Sequence, residues 1–141
     1  MKNDLQKARE ILDNGHYTCV LCKGDCVLTD DRRGIRPLLE LVESGRSFVG
    51  FSAADKVVGK AAALLYLLLG VTDIYAGVIS APALEVLVAG GVVVTFGQLV
   101  DAIRNRTNTG FCPMETAVKE IDDPLQAPAV LYSALDALSG K

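Results

Sequence analysis

The sequence predicts one three-layer α/β domain, with helices on both faces of a mixed sheet. Between residues 47 and 94, short apolar runs alternate with helical patterns in the β-α-β-α-β order of a parallel sheet covered by helices. Ahead of them, two strand-like runs flank Gly24-Asp25, a pair typical of the turn in an antiparallel hairpin. The chain has 141 residues, of which half are apolar, so we expect a single domain over residues 1–141.

The first third of the chain predicts two helices around this hairpin. Asn3 followed by Gln6 forms a capping box, which begins a helix that ends at Gly15. The hairpin strands are expected within residues 17–30. A second helix is expected over residues 35–44, because proline stands near its start and glycine follows its end.

The central stretch, residues 52–70, is expected to form one helix of about 15 residues. Asp55 is placed at its N-cap and Gly70 at its end. Beyond Lys60 this helix is apolar on every side, so it should be buried between other elements.

Strands and helices are expected to alternate after the central helix. Strands over 71–80 and 92–94 enclose a helix over 82–89. Thr95 and Gln98 form a second capping box, which predicts a further helix of about ten residues.

The last part of the chain predicts a polar loop and two helices. The loop covers residues 105–111, and the next helix begins at Cys112 with Pro113 in its first position. The final helix begins near Ala127 and carries one apolar stripe.

Composition excludes several classes of protein. The net charge of −3 disfavours a broad nucleic-acid-binding surface. No apolar run reaches the length of a membrane span, and the first 14 residues do not read as a secretory signal. We therefore expect a cytoplasmic protein without a membrane partner, whose four cysteines are thiols, metal ligands or catalytic groups.

The polar start of the central helix is the first candidate site. Lys56 and Lys60 are four residues apart and would share one face of the first two turns, where the helix dipole disfavours cations. Two lysines there are explained if an anion binds nearby. The alternative is that Asp55 only caps the helix and the lysines extend into water.

A metal site is the second candidate, because His16 lies close to Cys19, Cys22 and Cys26. These residue types suit zinc or an iron–sulfur centre. Cys19 and Cys22 would point to opposite faces of a strand, however, which favours buried thiols over metal ligands. We expect no metal and no cofactor.

Cys112 and Glu115 form the third candidate. At a helix N-cap the dipole would activate the Cys112 thiol, and Glu115 at the third helical position can return a hydrogen bond to the cap. The pair fits a nucleophilic site or a purely structural cap.

Three arginines before the second helix form the fourth candidate. Arg32, Arg33 and Arg36 could clamp a phosphate or carboxylate with paired hydrogen bonds. Asp30 and Asp31 beside them offer local ion pairs as the alternative.

Three stretches resemble a family of small prokaryotic proteins that form a domain of unknown function. They are G-I-R-P-L-L at 34–39, S-A-A-D-K-V-V-G-K-A-A-A at 52–63 and G-F-C-P-M-E-T-A-V at 110–118. Together with the order of elements, the resemblance implies a cytidine-deaminase-like fold.

The resemblance also bears on chemistry. In active zinc deaminases, a His-x-Glu motif begins the buried helix and a Pro-Cys-x-x-Cys motif begins the next helix. The histidine and the two cysteines bind zinc, and the glutamate transfers protons. The matching positions here are Asp55 and Val57, and the second motif falls at residues 80–84. The resemblance therefore implies a deaminase-like domain that lacks the usual zinc ligands and the acid–base Glu.

These observations predict a protein that binds a small anionic, nucleotide-like ligand at the N-terminus of the central helix. Asp55 and Glu115 would carry protons, and Cys112 would act as nucleophile or thiol ligand. The expected site residues are Asp55, Lys56, Cys112 and Glu115 for chemistry, with Lys60, Arg36 and Ser80 for the ligand.

Two alternatives belong to other classes of protein. One is a non-catalytic regulatory module that binds a nucleotide or RNA, and the other is a structural subunit that forms a homo-oligomer through an apolar edge. They differ from the first hypothesis in whether a bound ligand is turned over.

Overall fold

A computed structural model describes residues 3–104, Gly110 and residues 112–139. These residues form five strands and six helices, with a short 3-10 turn at Pro124–Gln126. In chain order the elements are α1 (Asp4–Asn14), β1 (Cys19–Lys23), β2 (Cys26–Asp30), α2 (Arg36–Glu43), β3 (Ser52–Val58), α3 (Lys60–Leu69), β4 (Asp73–Ser80), α4 (Ala81–Ala89), β5 (Val93–Val100), α5 (Pro113–Ala117) and α6 (Ala127–Ser139).

The five strands form one mixed sheet in the order β2-β1-β3-β4-β5. β1 is antiparallel to both of its neighbours, and β4 is parallel to β3 and to β5. Since β2 and β3 both oppose β1, the four strands other than β1 run in one direction. The predicted α/β class with a mixed sheet and an antiparallel hairpin is confirmed.

Helices cover the sheet on both faces. On one face α1 packs Ala8 and Leu12 against Val20 and Ala54 of the sheet. On the other face α2, α3 and α4 bury the larger core, and α5 and α6 pack on the far side of α3. The N-terminus of α1 is capped as predicted, because the Gln6 backbone N–H donates to Asn3 Oδ1 at 2.7 Å.

The central helix is buried as predicted but begins later. Seven of the ten residues of α3 are buried, and Gly70 ends the helix with a left-handed backbone at φ 87°. Residues 52–58 form β3 instead of the first two turns, so Asp55 lies in a strand and is not a helix N-cap. The physical reason is tertiary: this segment is hydrogen-bonded between β1 and β4, and that pairing outweighs the helical propensity of its alanines.

A second correction concerns the predicted helix after residue 94. Thr95 and Gln98 lie in β5, an eight-residue strand paired with β4, and they do not form a capping box. Valine, threonine and phenylalanine favour strands, and pairing with the parallel strand β4 stabilises this conformation over a helix. The first of the apolar runs, at residues 47–51, forms a turn that leads into β3.

Three parallel strands share one irregular row. Asp55 pairs with Ala76 and the next pair is Val57 with Val78, so the row at Lys56 and Gly77 is skipped, and β4 and β5 skip the same row at Gly77 and Gly97. A Cβ on Gly77 would lie 2.8 Å from the Lys56 carbonyl oxygen. The glycines therefore allow the backbones to approach closely.

Within the described ranges, no helix is long and apolar enough to cross a membrane.

Candidate functional site

The candidate site lies at the edge of the sheet where the parallel strands end. α2, α3 and α4 begin there, after β2, β3 and β4 respectively. Cys19 at the start of the antiparallel β1 pairs with Asp30 on one side and with Asp55 on the other. In α/β proteins this edge collects helix N-termini and is the common place for ligands.

The N-terminus of α3 is occupied by a side chain of the same chain. The backbone N–H groups of Lys60 and Ala61 donate to the two carboxylate oxygens of Glu115, at 2.6 and 2.9 Å. A Cβ on Gly59 would lie 2.5 Å from the Glu115 carboxyl carbon, so only glycine leaves room for this contact. Glu115 thus supplies the negative charge that the helix dipole favours at this position.

The two lysines predicted on one helix face are separated by the structure. Lys56 is an exposed residue of β3, whereas Lys60 is the first residue of α3. Lys60 Nζ donates to the Lys119 carbonyl oxygen at 3.0 Å and lies 4.0 Å from Asp122, with its side chain 12% exposed. Lys60 therefore ties the start of α3 to the segment after α5.

Asp55, Tyr66 and Cys19 form a buried polar network. The Tyr66 hydroxyl donates to Asp55 Oδ2 at 2.7 Å, and the Cys19 sulfur lies 3.1 Å from the same hydroxyl. The Val57 backbone N–H donates to the other oxygen of Asp55 at 3.2 Å. Each member has its polar atoms satisfied inside the core, as a buried network requires.

Burial sets the protonation of this network. It raises the pKa of the Asp55 carboxyl to about 6, although the hydrogen bonds from Tyr66 and Val57 oppose the rise. Burial, followed by the nearby charge of Asp55, raises the pKa of the Cys19 thiol and of the Tyr66 hydroxyl. Near neutral pH, Asp55 is therefore the member that gains and loses a proton, while the thiol stays protonated.

The hydrogen bonds of this network have two possible orientations, which depend on the protonation of Asp55. With Asp55 ionised, the Cys19 S–H donates to Tyr66 and the Tyr66 O–H donates to Asp55. With Asp55 protonated, both hydrogen bonds can reverse, since either atom of the Cys19–Tyr66 pair can be the donor. Cys19 is the member that reaches a surface cleft.

A cleft of about 130 Å³ lies between the hairpin and α2, with Cys19 in its wall. Arg32 spans the rim, because its guanidinium donates to Asp30 at 2.8 Å and to Glu40 at 2.7 Å. These contacts lower the pKa of both carboxyl groups, with Arg32 as the main cause in each. The other lining residues are Leu21, Leu28, Thr29, Pro37 and Leu41.

Two further arginines adjoin residues of this cleft in the sequence. Arg33 follows Arg32, and Arg36 precedes the lining residue Pro37. Both side chains are exposed, and neither has an ion-pair partner among the residues that the structure describes. The predicted arginine cluster is thus divided: Arg32 makes the local ion pairs, and Arg33 and Arg36 are available.

Ser80 and Cys112 act locally. Ser80 is fully buried and its Oγ accepts from the Ala83 backbone N–H at 3.2 Å, which caps α4. Cys112 precedes Pro113 at the start of α5, and its backbone N–H donates to the Ile103 carbonyl at 3.1 Å. Within the described part of the chain, the hydrogen bonds of the Glu115 carboxylate join it to α3 and not to Asp55. The predicted loop 105–111 lies, apart from Gly110, outside the described residues.

The histidine and cysteines of the hairpin do not converge. Cys19 belongs to the core cluster on the α3 side, and Cys22 belongs to the cluster on the α1 side. This is the strand alternation that the sequence predicts. In the ranges that the structure describes, no group of three or more His, Cys, Asp or Glu side chains is placed to hold a metal ion.

Sequence reasoning missed Tyr66 and the role of Cys19. The signal was present, because a tyrosine in a helix that is expected to be buried and is otherwise apolar beyond Lys60 needs a polar partner for its hydroxyl. What the sequence did not supply was the pairing of β1 with β3, which places Cys19 beside Asp55.

Fold and site together define an α/β protein with a mixed five-stranded sheet and a buried carboxylate at the edge where its parallel strands end. The model of the family described as "TM1506: Domain of unknown function (DUF1893)" matches residues 7–135, and the chain belongs to this family. The fold is similar to the crystal structure of a DUF1893 family protein (TM1506) from Thermotoga maritima. The two chains are 28% identical, the TM-score is 0.86, and the alignment covers 94% of this chain and 90% of that one. No curated protein matches the sequence.

Proposed function

We propose that this protein binds a small anionic, nucleotide-like ligand in the cleft between the hairpin and α2. The observation that carries the proposal is that Arg33 and Arg36 are exposed and adjoin, in the sequence, the residues Arg32 and Pro37 of a cleft whose wall contains Cys19. Guanidinium groups bind phosphate with paired, charge-assisted hydrogen bonds. The apolar lining would suit the uncharged part of such a ligand.

The proposal moves the ligand away from the N-terminus of the central helix. There, Glu115 already accepts from the two backbone N–H groups that would bind an anion, and Lys60 is held by Lys119. Lys56 remains exposed at the same edge of the sheet, and its backbone N–H donates to Thr18, whose hydroxyl donates to Arg32. Lys56 is therefore the lysine that we expect to assist the arginines.

A second proposal is that the site catalyses a proton transfer. It is favoured by the chain of hydrogen bonds from Cys19 at the cleft to Asp55, whose pKa of about 6 suits exchange near neutral pH. Asp55 would be the acid or base, and Cys19 would relay the proton because its raised pKa makes a thiolate nucleophile unfavourable. Without turnover, the same cleft would serve a regulatory module.

We also infer that the fold is cytidine-deaminase-like in its finer arrangement. Support comes from the order helix, antiparallel hairpin, and then parallel β3-α3-β4-α4-β5. The N-termini of α3 and α4, where deaminases place their two motifs, are occupied here by Gly59 with Lys60 and by Ser80 with Ala81.

The binding proposal is tested by calorimetry with phosphate, pyrophosphate and nucleoside mono- and triphosphates. We expect one of these ligands to bind, and the double variant Arg33→Ala/Arg36→Ala to weaken it at least about tenfold while melting stays unchanged. Arg9→Ala removes one guanidinium group from α1 on the other face of the sheet and should leave affinity intact.

Absence of binding by every ligand, or equal loss in the Arg9 variant, would refute the proposal. Mass spectrometry of the ligand after incubation in heavy water separates the two functions, because proton transfer at a carbon atom introduces deuterium and raises the mass. A modified ligand supports proton-transfer catalysis, and an unmodified one supports the regulatory module.

A further inference from the structure

The outer edge of β5 is open and apolar. β5 ends the sheet, and no strand in the described chain pairs with its outer side. Its large apolar side chains are well exposed, at 63% for Val93, 40% for Phe96 and 47% for Leu99. A long apolar edge of this kind is a template for another strand.

The backbone of β5 presents hydrogen-bonding groups on this edge. The Val93 N–H donates to the Thr72 carbonyl at 3.3 Å, so the backbone N–H and C=O groups of Val93 point toward β4. Because backbone groups alternate in direction along a strand, the N–H and C=O groups of Val94 and Phe96 point outward. These groups have no hydrogen-bond partner among the described residues.

The charge pattern selects the partner. Residues 92–100 contain no charged side chain and no proline, the two devices that usually protect an edge strand. The other edge, β2, is only five residues long, contains Asp30 and is bordered by Asp25 and Asp31. Of the two edge strands, β5 of a second copy of the chain is the one that matches β5 in length and brings no charged side chain into the contact.

We propose that two copies of this chain form a dimer by pairing their β5 strands antiparallel about a two-fold axis. The two sheets become one of ten strands, and the outward groups of Val94 and Phe96 gain partners from the second copy. A two-fold contact uses the same surface on both subunits, so assembly stops at the dimer. This inference is independent of the ligand site, which lies on the hairpin side of the sheet.

The test is the molar mass of the full chain in solution by sedimentation and light scattering over a wide concentration range. We expect the wild type at twice the chain mass. Thr95→Lys, which brings like charges onto the shared edge, and Phe96→Pro, which removes an outward N–H, should each halve this mass. Thr29→Lys makes the same change on β2 and should leave the dimer intact.

A monomeric wild type would overturn the proposal, as would folded β5 variants that stay dimeric or a Thr29 variant that dissociates. Circular dichroism establishes that each variant is folded. Hydrogen exchange of the wild type gives a test that needs no variant: the amides of Val94 and Phe96 should exchange more slowly as the concentration rises. Exchange that does not depend on concentration would contradict the interface.

Discussion

Asp55 is the residue whose environment departs most from what its position in the sequence suggests. Placed at a helix N-cap it would be an exposed, ionised acceptor, but in β3 it is buried beneath α3 with Tyr66 as donor. A carboxyl group removed from water favours its neutral form, which is why its pKa rises to about 6. Its ionisation is therefore linked to folding.

This linkage predicts how stability depends on pH. Because the folded state holds the Asp55 proton more tightly than the unfolded chain, its contribution is largest below pH 3.8 and is lost as the pH rises to about 6. At about 1.4 kcal/mol per pH unit of displacement, the loss is about 3 kcal/mol. Asp55→Asn abolishes this titration, so the wild type loses stability between pH 4 and pH 7 and the variant does not. The free energy of unfolding of the variant, minus that of the wild type, should therefore increase by about this amount over that range. Urea unfolding at each pH measures the difference.

Asp30→Asn is the matched control for this measurement. Arg32 lowers the pKa of Asp30, so Asp30 contributes stability above its unfolded pKa and loses it as the pH falls. The difference between this variant and the wild type should therefore stay nearly constant from pH 4 to pH 7, and it should change in the opposite sense only below about pH 3.8. Parallel pH profiles for the two variants would contradict the assigned environments.

Glu115 provides a second prediction at the scale of a residue. Glu115→Ala removes two charge-assisted hydrogen bonds from the N-terminus of α3 and should lower the free energy of unfolding by about 1–2 kcal/mol. Glu120→Ala removes an exposed carboxylate five residues away and should change it by less than about 0.5 kcal/mol.

A double-mutant cycle with Gly59→Ala tests the same contact. The added Cβ would meet the Glu115 carboxylate, so this substitution should destabilise the wild type but have a smaller effect in the Glu115→Ala background. Additive effects would show that the carboxylate does not occupy the start of α3.

At the scale of an element, the three parallel strands depend on one row of close backbones. Ala76 and Ile79 both lie in the larger core although they are three residues apart, so the alternation of β4 shifts at Gly77. β3 and β5 skip the same row, at Lys56 and Gly97. The irregularity therefore belongs to the sheet and not to one strand.

Gly77→Ala should consequently destabilise the protein by about 1–3 kcal/mol. Its Cβ would lie 2.8 Å from the Lys56 carbonyl oxygen, a backbone atom that is held by the sheet and cannot move aside cheaply. Glu85→Ala changes an exposed position of α4 and serves as control, with an expected effect below about 0.5 kcal/mol. Urea unfolding followed by circular dichroism measures both, and equal effects would mean that the strands do not approach closely.

At the scale of the whole molecule, α3 unites the layers. The sheet lies on one side of it, α2 and α4 flank it, and α6 covers its far side. Leu131 of α6 is completely buried in the core cluster that contains α3. The outer helices are therefore expected to unfold together with the sheet.

Leu131→Ala tests this cooperativity. We expect a loss of about 2–5 kcal/mol and one shifted transition, with the same midpoint by circular dichroism and by tyrosine fluorescence. Leu125→Ala, at a residue that is 77% exposed, should leave the midpoint in place. An early transition confined to α6, with an unchanged midpoint for the remainder, would contradict a shared core.

The sequence by itself determined the features that depend on local chemistry. The N-cap at Asn3, the Gly24-Asp25 hairpin and the stop at Gly70 were predicted because each rests on the side chains or glycines of its own segment. The Gln6 side chain, however, donates to Glu10 and does not complete a capping box. The α/β class followed from the spacing of apolar runs. The family is confirmed at the level of a domain of unknown function.

Only the tertiary structure decided the secondary structure of residues 52–58 and 95–100, and only it decided which residues make up the site. Segments such as S-A-A-D-K-V-V have no strong local preference, so their partners in the sheet choose between helix and strand. The same pairing carries Cys19 to Asp55, and the packing of α5 brings Glu115 to the start of α3 across more than fifty residues. Contacts between segments so far apart depend on the assembled core, and no local pattern in the chain encodes them.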